Sequence, residues 1–519
     1  MANSVKTRFH FESAFLGKDT FRVVSLVGEE AISQPYRFDI ELVSSDPNID
    51  LDSPLAKPAS LTMIRDEEVR KIHGVISEFE LGRELPNQLY SYRAVLVPRL
   101  WLLTLSRQNQ IYQNKSVPTI VEQELLEASQ KGTDRTSKAG ITTEDFEFVL
   151  RDGRSDTENS KYYREYVVQY QENDLDFISR LMEHEGLFYF FEQGEEREKL
   201  IITDMNERFP SCTGEGHIDY QTPTGMLAYN LPSVQRFNCK RRQVSHEVVL
   251  KDYNYRNPDA LGENKKPFFN LQAASVVHEN GIGLVSQYGD HFKGEFDGKH
   301  YAKTRAEEMH CQQHTYDGES DVIQFAVGNI FLLDGHYRTE FNRNFIVTRV
   351  LHTGQDPSLK IDDTDDEKQK PDQTTYRNTF YCQPSDIPFR AACNTPKPKL
   401  FGIMNARIDA TGSGERAEVD AEGRYKVIMP FDVSGAEMGQ ASRYIRMATP
   451  YGGTEEGMHF PLRKGTEVIW TCIDGDPDRP IIIGTVPNAS QKSVVNEKNS
   501  TSNVIRTPSG IQMEFNDGL

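Results

Sequence analysis

Two histidines at helical spacing could bind a metal. His310 and His314 bracket the segment His-Cys-Gln-Gln-His, and on a helix residues four apart share one face, a spacing that zinc sites use. No third ligand is close in the sequence, and the glutamate of the HExxH motif is missing. We therefore expect two partly exposed histidines on a helix and no metal site.

Three aspartates imitate the start of a calcium-binding loop. Asp474, Asp476 and Asp478 have the spacing of the first three ligands of an EF-hand. The sixth position, which must be glycine, is Arg479, and the acid of the twelfth position is Thr485, so an EF-hand is excluded. Instead, the glycine and the two prolines of this segment predict a rigid turn between strands. Its carboxylates are expected to accept backbone hydrogen bonds or to pair with Arg479.

Two pairs of acidic residues could be mistaken for a glycosidase acid and base. Asp174 and Asp176, like Glu183 and Glu185, are two residues apart in a predicted helix. Residues at this spacing point to different sides of a helix, and nothing of the size of a hydrolase domain is inserted near them. We expect a solvated helix face.

The remaining candidate motifs also favour structural roles. Gly412-Ser413-Gly414 lacks the GxSxG order and predicts a hairpin turn. The aromatic run Leu187–Phe191 could stack nucleic-acid bases, but its apolar pattern indicates a buried strand. We therefore expect no catalytic, cofactor-binding or metal-binding residue and no cofactor, and the sequence does not predict an enzyme.

Composition narrows the class of protein. The chain has 519 residues, enough for three or four folding units, and 78 acidic against 59 basic side chains give a net charge of −19. This charge disfavours nucleic acid as a partner, because the basic cluster Lys240-Arg241-Arg242 is short. Six scattered cysteines without a CxxC pair indicate reduced thiols. The start has no signal-peptide pattern and no stretch has the length of a membrane span, so we expect synthesis in the cytoplasm.

The elements that position these residues are mostly strands. Period-two runs at 21–26, 61–64 and 90–97 predict strands, and 118–128 predicts a helix. Residues 166–192 predict a strand, then a helix capped by Asn173 or Asp174 and stopped by Gly186, then a strand paired with 199–203. The acidic stretch 355–373 is expected to be a loop.

A small barrel is predicted after the proline-rich segment 394–398. Four strand candidates follow it, at 401–408, 417–419, 423–431 and 443–447. With a final hairpin of 467–472 and 481–486, this set suits an OB-type barrel. In the last residues Ile511, Met513 and Phe515 alternate with polar residues. One half-apolar strand cannot bury its own face, so we expect it to pair with another chain or with residues beyond 519.

Several segments resemble the VgrG spike proteins of bacterial type VI secretion, which are related to the hub and needle proteins of contractile phage tails. The segment 166–192 resembles their signature in Arg180-Leu181, Glu185-Gly186 and Tyr189-Phe190-Phe191. The resemblance continues in GRYKVIMPFD (423–432), SRYIRMATPYGG (442–453), GMHFPLRKGTEV (457–468) and GDPDRPIIIGTVPN (475–488). These motifs follow in order over at least residues 166–516.

The resemblance implies a mainly β fold with few helices. Residues 1–380 are expected to form a phage tail hub-like region of two barrel-like domains, 381–490 an OB-fold, and 491–519 a neck and the start of a trimeric β-helix. It implies a homotrimer that contacts an Hcp tube ring, a PAAR-type tip protein, baseplate proteins and effectors. Its task would be to puncture target membranes and be exported with its cargo. The chain departs from the family because it stops about where the β-helix should begin.

Three alternatives stay open at this stage. The hub of a phage or phage-derived contractile tail would carry the same motifs. A cell-wall hydrolase spike would need a catalytic constellation, for which the sequence offers no supported candidate. A free OB-fold module that binds nucleic acid or oligosaccharide would show salt-sensitive DNA binding, which is unexpected at this net charge.

Overall fold

The computed structural model describes residues 7–17, 19–130, 140–158, 160–212, 216–221, 232–256, 258, 271–356 and 375–518. The chain divides into two compact units. Unit 1 comprises Met1–Arg107, Ser116–Tyr163 and Asn173–Pro396, and unit 2 comprises Gln108–Lys115, Arg164–Glu172 and Lys397–Leu519. The predicted loop at 355–373 lies almost entirely outside the described residues.

Strands dominate both units, as predicted. The helices are α1 (Val117–Gln130), α2 (Asp174–Glu185) and α3 (Glu295–Cys311). The strands are β1 (Thr7–Ser13), β2 (Arg22–Ala31), β3 (Gln34–Ser44), β4 (Pro58–Arg65), β5 (Glu68–Leu85), β6 (Leu89–Val97), β7 (Arg107–Ser116), β8 (Phe146–Val149), β9 (Tyr163–Asn173), β10 (Phe188–Gln193), β11 (Glu198–Thr203), β12 (His217–Asp219), β13 (Val234–Arg241), β14 (Glu247–Asp252), β15 (Leu271–Val276), β16 (Leu284–Tyr288), β17 (His314–Ser320), β18 (Ile330–Asp334), β19 (Asn344–Gln355), β20 (Thr375–Pro384), β21 (Met404–Asp409), β22 (Lys426–Ile428), β23 (Glu467–Cys472), β24 (Pro480–Thr485), β25 (Ser502–Arg506) and β26 (Gln512–Asn516). Within the described residues, no helix is both long and apolar enough to span a membrane.

A continuous sheet forms the frame of unit 1. Its strands follow the order β1-β4-β5-β6-β3-β2-β19-β20-β17-β13, and β18 joins it by pairing with β12 and β19. Burial alternates over residues 61–64 of β4, as the predicted period of two requires, and β1 and β3 alternate in the same way. One hydrophobic core lies on β1–β6, around Phe38, Ile40 and Leu96, and another includes Phe188, Phe331 and Phe380. The pairing of β2 with β19 places strands of both cores in one sheet. The division of the cores into two barrel-like domains stays a prediction.

The strand–helix–strand segment forms as its local sequence predicts. The Asn173 side chain accepts a hydrogen bond from the Asp176 N–H at 2.7 Å and so caps α2. Gly186 ends the helix with φ +77°, a left-handed conformation that glycine adopts without the steric cost of a Cβ. The next strand, β10, pairs with β11 as predicted, with Phe188 opposite Thr203.

Unit 2 is built on the sheet β22-β21-β23-β24, whose core includes Tyr425, Val468 and Trp470. A two-stranded ribbon of β7 and β9, from much earlier in the chain, belongs to the same unit. Its residues Ile111, Tyr166 and Val168 are part of this core. The core of the second unit is therefore assembled from three separate stretches of sequence.

Two of the predicted barrel strands are not formed as strands. Residues 417–419 are irregular, and 443–447 contributes isolated bridges from Ile445 to Tyr425 and from Met447 to Ile482. The candidate 423–431 contracts to the three-residue β22. Prolines at positions 430 and 450 lack the N–H that a longer ladder needs, which limits regular pairing here.

Candidate functional site

The hairpin of β25 and β26 carries an uncovered apolar face. The strands pair with Ile505 opposite Met513, across a turn in which Gly510 has φ +89°. Ile505, Ile511, Met513 and Phe515 are between 47% and 72% exposed. The prediction that the last strand finds its partner only in another chain or beyond residue 519 was wrong, because β25 pairs with it. The expectation that it cannot bury its apolar face within the chain agrees with these exposures.

Two properties make this hairpin a candidate assembly surface. An isolated two-stranded sheet is marginally stable in water, because it buries little apolar area. Contiguous exposed apolar side chains of this kind commonly mark interaction sites. The hairpin therefore has a physical reason to bind a further surface.

The acidic residues of α2 are structural, but they do not form a solvated face. Asp176 is exposed as expected, whereas Asp174, Glu183 and Glu185 are buried, so the prediction was wrong for these three. Both carboxylate oxygens of Glu183 accept hydrogen bonds from Thr395, from its N–H at 2.9 Å and its hydroxyl at 2.8 Å. Burial raises the pKa of Glu183 against the opposing effect of these bonds.

Glu185 contacts different residues. Its carboxylate lies 3.4 Å from His300 Nε2 and 3.4 Å from the hydroxyl of Tyr301, both on α3. The two glutamates thus contact different partners, as their spacing of two predicts, and they do not converge on a common point as an acid–base pair would. They attach α2 to its surroundings within unit 1.

His310 and His314 do not share a helix. His310 lies in the last turn of α3, and His314 begins β17, so the predicted helical i, i+4 arrangement is wrong. Both are partly exposed, as predicted. Burial and the nearby His278, whose ring stacks on His310 at 5.7 Å, lower the pKa of His310. Neither histidine belongs to a group of three or more potential metal ligands among the described residues.

The turn between β23 and β24 has the predicted position, and a lysine that was not predicted lies beside its carboxylates. Asp476 accepts a hydrogen bond from the Asp478 N–H at 2.9 Å, and Asp478 accepts one from the Val168 N–H at 2.7 Å. Lys397 Nζ lies 2.6 Å from a carboxylate oxygen of each of these aspartates. The prediction that carboxylates accept backbone hydrogen bonds is confirmed. The lysine was missed because it lies about eighty positions earlier in the sequence.

The other candidates are structural as predicted or lie on loops. Leu187, Phe188, Tyr189 and Phe190 are buried, which removes them from any base-stacking surface. Gly412-Ser413-Gly414 lies in an exposed irregular loop, and Lys240-Arg241-Arg242 lies exposed at the end of β13. No nucleophile elbow or basic groove is formed by these residues.

Unit 1 contains a buried charged network that was not predicted from the sequence. The Arg70 guanidinium donates to a Glu30 carboxylate oxygen and to the carbonyl of Ile323, the latter at 3.2 Å. His352 Nε2 lies 3.5 Å from Glu30, and Nδ1 lies 2.6 Å from the Tyr376 hydroxyl. Burial would raise the pKa of Glu30, but Arg70 and His352 outweigh it and lower the pKa to about 2. The network connects β2, β5, β19 and β20.

A cleft of about 830 Å³ also lies in unit 1, and charged side chains line it. Arg99 pairs at 3.0 Å with Glu198 and at 3.0 Å with Asp145, and Arg197 pairs with Asp145 at 3.1 Å. These charges largely compensate one another. The cleft therefore has the chemistry of a structural ion-pair cluster.

Comparison with known families gives this architecture a context. The family model described as "Phage tail baseplate hub (GPD)" matches residues 29–358. The one described as "Type VI secretion system/phage-baseplate injector OB domain" matches residues 416–486. The second match covers the sheet β22-β21-β23-β24 apart from β21.

Curated relatives match nearly the whole chain. The type VI secretion system spike protein VgrG5 of Pseudomonas aeruginosa is 31% identical over 500 residues, 94% of this chain and 59% of its own length. The spike protein VgrG1b of the same organism is 29% identical, with 95% of this chain and 62% of its own length covered. The actin cross-linking toxin VgrG1 of Vibrio cholerae is 27% identical, over 98% of this chain and 44% of its own length. The chain thus spans about three fifths of the first two relatives, and less than half of the third.

Solved structures share the fold. A component of the Escherichia coli type VI secretion system, described as similar to the T4 bacteriophage tail proteins gp27 and gp5, aligns with a TM-score of 0.64 at 24% identity. The alignment covers 92% of this chain and 100% of that one. A chain of a Francisella PdpA–VgrG complex aligns with a TM-score of 0.60 at 11% identity, over 99% of this chain and 76% of that one. At these identities the likeness establishes the mainly β hub and OB architecture alone.

Proposed function

The chain belongs to the phage tail baseplate hub family, among its VgrG-type spike proteins, and we propose that three copies assemble into the hub and spike base of a type VI secretion machine. The uncovered apolar face of the β25–β26 hairpin is the observation that carries the threefold assembly. Three such hairpins around an axis would cover one another's apolar faces, which a single chain leaves in water.

The proposed task is mechanical. The trimer sits on the end of the tube, where its threefold hub contacts a sixfold Hcp ring, and it tapers toward a tip that carries a PAAR-type protein. Baseplate proteins hold it before firing, and effectors travel with it into the target cell. Synthesis in the cytoplasm, export through the machine and puncture of a target membrane follow from this role.

The proposed layout assigns residues 1–380 to the hub, 381–490 to the OB-fold and 491–519 to the neck and the start of a β-helix. The buried Glu30–Arg70 network connects strands distant in sequence, and Lys397 contacts the distant turn between β23 and β24. Such internal contacts favour slow unfolding under load. The chain itself needs no catalytic residue for this task, and we propose that it is not an enzyme.

The matches to VgrG spike proteins favour a secretion spike over the hub of a phage tail, which is the nearest alternative. The family matches give no support to a free nucleic-acid-binding OB module, because the OB region is joined to a hub. A cell-wall hydrolase role has no supporting observation among the residues described above.

Export of the Hcp tube protein tests the proposal. In the bacterium that encodes this chain, deleting its gene should abolish the appearance of Hcp in the culture medium, and the parent sequence should restore it. Met513→Asp with Phe515→Asp should fail to restore export, because charges on the apolar face prevent the hairpins from packing together. Val494→Asp is the matched control, since Val494 is also an exposed apolar residue outside the hairpin.

Two results would refute it. Normal Hcp export without the gene would show that this chain is not required for secretion. Equal restoration of export by the double variant and by the control would show that the apolar face of the hairpin is not needed for assembly.

A further inference from the structure

Three side chains on the outer face of β12 and β18 converge in unit 1. The two strands are parallel, with His217 opposite Leu332 and Asp219 opposite Asp334. Side chains two apart on a strand share a face, so His217 and Asp219 point the same way, and Asp334 lies beside Asp219. Ile218 and Leu333 are buried on the other face, which holds the three polar residues at the surface.

Backbone hydrogen bonds flank this group. The Leu332 N–H donates to the Gly216 carbonyl at 2.7 Å, and the Tyr220 N–H donates to the Asp334 carbonyl at 2.8 Å. These bonds lie on either side of the three residues, at the two ends of the short β12. The side chains therefore project from a paired stretch of sheet and not from a free loop.

The distances among the polar atoms match the edges of a metal coordination shell. His217 Nε2 lies 3.1 Å from Asp334 Oδ2 and 3.8 Å from Asp219 Oδ1, and all three ligand atoms lie within 4.8 Å of one another. Metal–ligand bonds of about 2.1 Å give ligand–ligand edges of about 3.4 Å in a tetrahedron and about 3.0 Å in an octahedron. Modest side-chain rotations, without backbone movement, would bring these atoms onto such a shell.

The electrostatics also favour a cation. Two carboxylates directly opposite each other on neighbouring strands repel, so a bound dication would relieve an existing repulsion. The three side chains are between 45% and 54% exposed, so water can reach the remaining coordination positions.

We propose that His217, Asp219 and Asp334 form a surface site for a transition-metal dication of the Zn²⁺ class, completed by water. One imidazole and two carboxylates suit Zn²⁺, Co²⁺, Ni²⁺ or Mn²⁺, whereas Ca²⁺ and Mg²⁺ prefer oxygen ligands alone. The ion links the short β12 to β18, because its ligands come from both strands. This inference does not rest on the proposed function. The sequence did not predict it, because Asp334 lies more than one hundred positions from His217 and Asp219.

Metal binding by the purified full chain tests the site. After chelator treatment and dialysis, Zn²⁺ binding is measured by equilibrium dialysis, and Co²⁺ binding by its visible absorption. The parent chain should bind one more ion than His217→Ala or Asp334→Asn, or bind that ion at least about tenfold more tightly. The corresponding Co²⁺ spectrum should lack sulfur-to-metal charge-transfer bands, which separates this site from the six cysteines. His10→Ala, an exposed histidine on β1, is the matched control and should bind like the parent.

A second readout is independent of stoichiometry. Zn²⁺ should raise the unfolding temperature of the parent and of His10→Ala, and should raise it less for His217→Ala, because binding to the folded state alone stabilises it. Equal Zn²⁺ affinity and stoichiometry in the parent, His217→Ala and Asp334→Asn would overturn the proposal. Displacement of the ion by equimolar Ca²⁺ would also overturn it, since that would indicate two carboxylates acting without the imidazole.

Discussion

Replacing Arg70 by methionine should strongly destabilise unit 1, because it leaves the buried Glu30 carboxylate without its main counter-charge. Arg70 and Glu30 form an ion pair between strands of the central sheet, and both side chains have little contact with solvent. Removing one partner of such a pair costs about 3–5 kcal/mol. The fall of the Glu30 pKa from 4.5 to about 2 corresponds to about 3 kcal/mol at about 1.4 kcal/mol per pKa unit. This figure is the net effect of burial, Arg70 and His352 and not the share of Arg70 alone.

The effect should depend on pH with a definite sign. In the parent chain the folded-state pKa of Glu30 is lowered, so its contribution is complete above about pH 4.5 and is lost as the pH falls toward 2. Without Arg70, burial dominates and the pKa of Glu30 should rise above its usual value. Protonation then relieves the unpaired charge, so the deficit of Arg70→Met relative to the parent should shrink between pH 7 and pH 5.

Tryptophan fluorescence can follow each unit separately. The two tryptophans are Trp101 in unit 1 and Trp470 in unit 2. In a Trp470→Phe background, Trp101 reports urea and thermal unfolding of unit 1 alone. Arg70→Met should lower the unfolding temperature by roughly 5 °C or more. The exposed Arg37, which pairs with Asp39 at 2.9 Å, is the control, and Arg37→Met should cost less than about 1 kcal/mol.

A double-mutant cycle completes the test. Glu30→Gln combined with Arg70→Met should cost clearly less than the sum of the two single changes, because the double variant buries no unpaired charge. Additive costs, or a deficit of Arg70→Met that is unchanged between pH 7 and pH 5, would refute the ion-pair reasoning.

Two further substitutions test local features of the two units. Gly186→Ala should destabilise unit 1 by about 2 kcal/mol or more, because the positive φ is strained for alanine and the new Cβ would lie 2.6 Å from a Thr304 methyl carbon. The control is Gly153→Ala, at a glycine with φ +69° and open space around it, which should cost about 1 kcal/mol. Equal costs of the two changes in thermal unfolding would contradict the packing argument. Lys397→Met should destabilise unit 2 by about 2 kcal/mol, measured by Trp470 fluorescence in a Trp101→Phe background, because it removes the cation beside two buried aspartates. The Lys399 side chain is 46% exposed, and its amine lies 3.8 Å from Asp474, so Lys399→Met should change stability by less than about 0.5 kcal/mol. A similar effect of both lysine changes would show that burial of the carboxylates does not matter.

Features encoded by neighbouring residues could be predicted from the sequence. The cap at Asn173, the glycine stop at Gly186 and the pairing of β10 with β11 each depend on residues close together in the chain. The mainly β fold and the hub and OB motifs were predictable for the same reason, because strand periodicity and motif residues are local signals.

Features that depend on distant residues could not be predicted. The ribbon of β7 and β9 enters the core of unit 2 from nearly three hundred positions away, so the sequence suggested a simple boundary near residue 381. Burial of Glu183 and Glu185 depends on Thr395 and on α3, which spacing within α2 cannot reveal. The strand β25 was missed because it has only two apolar residues, Val504 and Ile505, within a polar stretch.

The mass of the purified chain in solution tests the central claim most directly. Analytical ultracentrifugation or native mass spectrometry at micromolar concentrations should show three chains of 59.2 kDa, a complex of about 178 kDa. Met513→Asp with Phe515→Asp should weaken this complex, and Val494→Asp should not. A stable dimer, or a parent chain that stays monomeric at tens of micromolar, would contradict the threefold assembly.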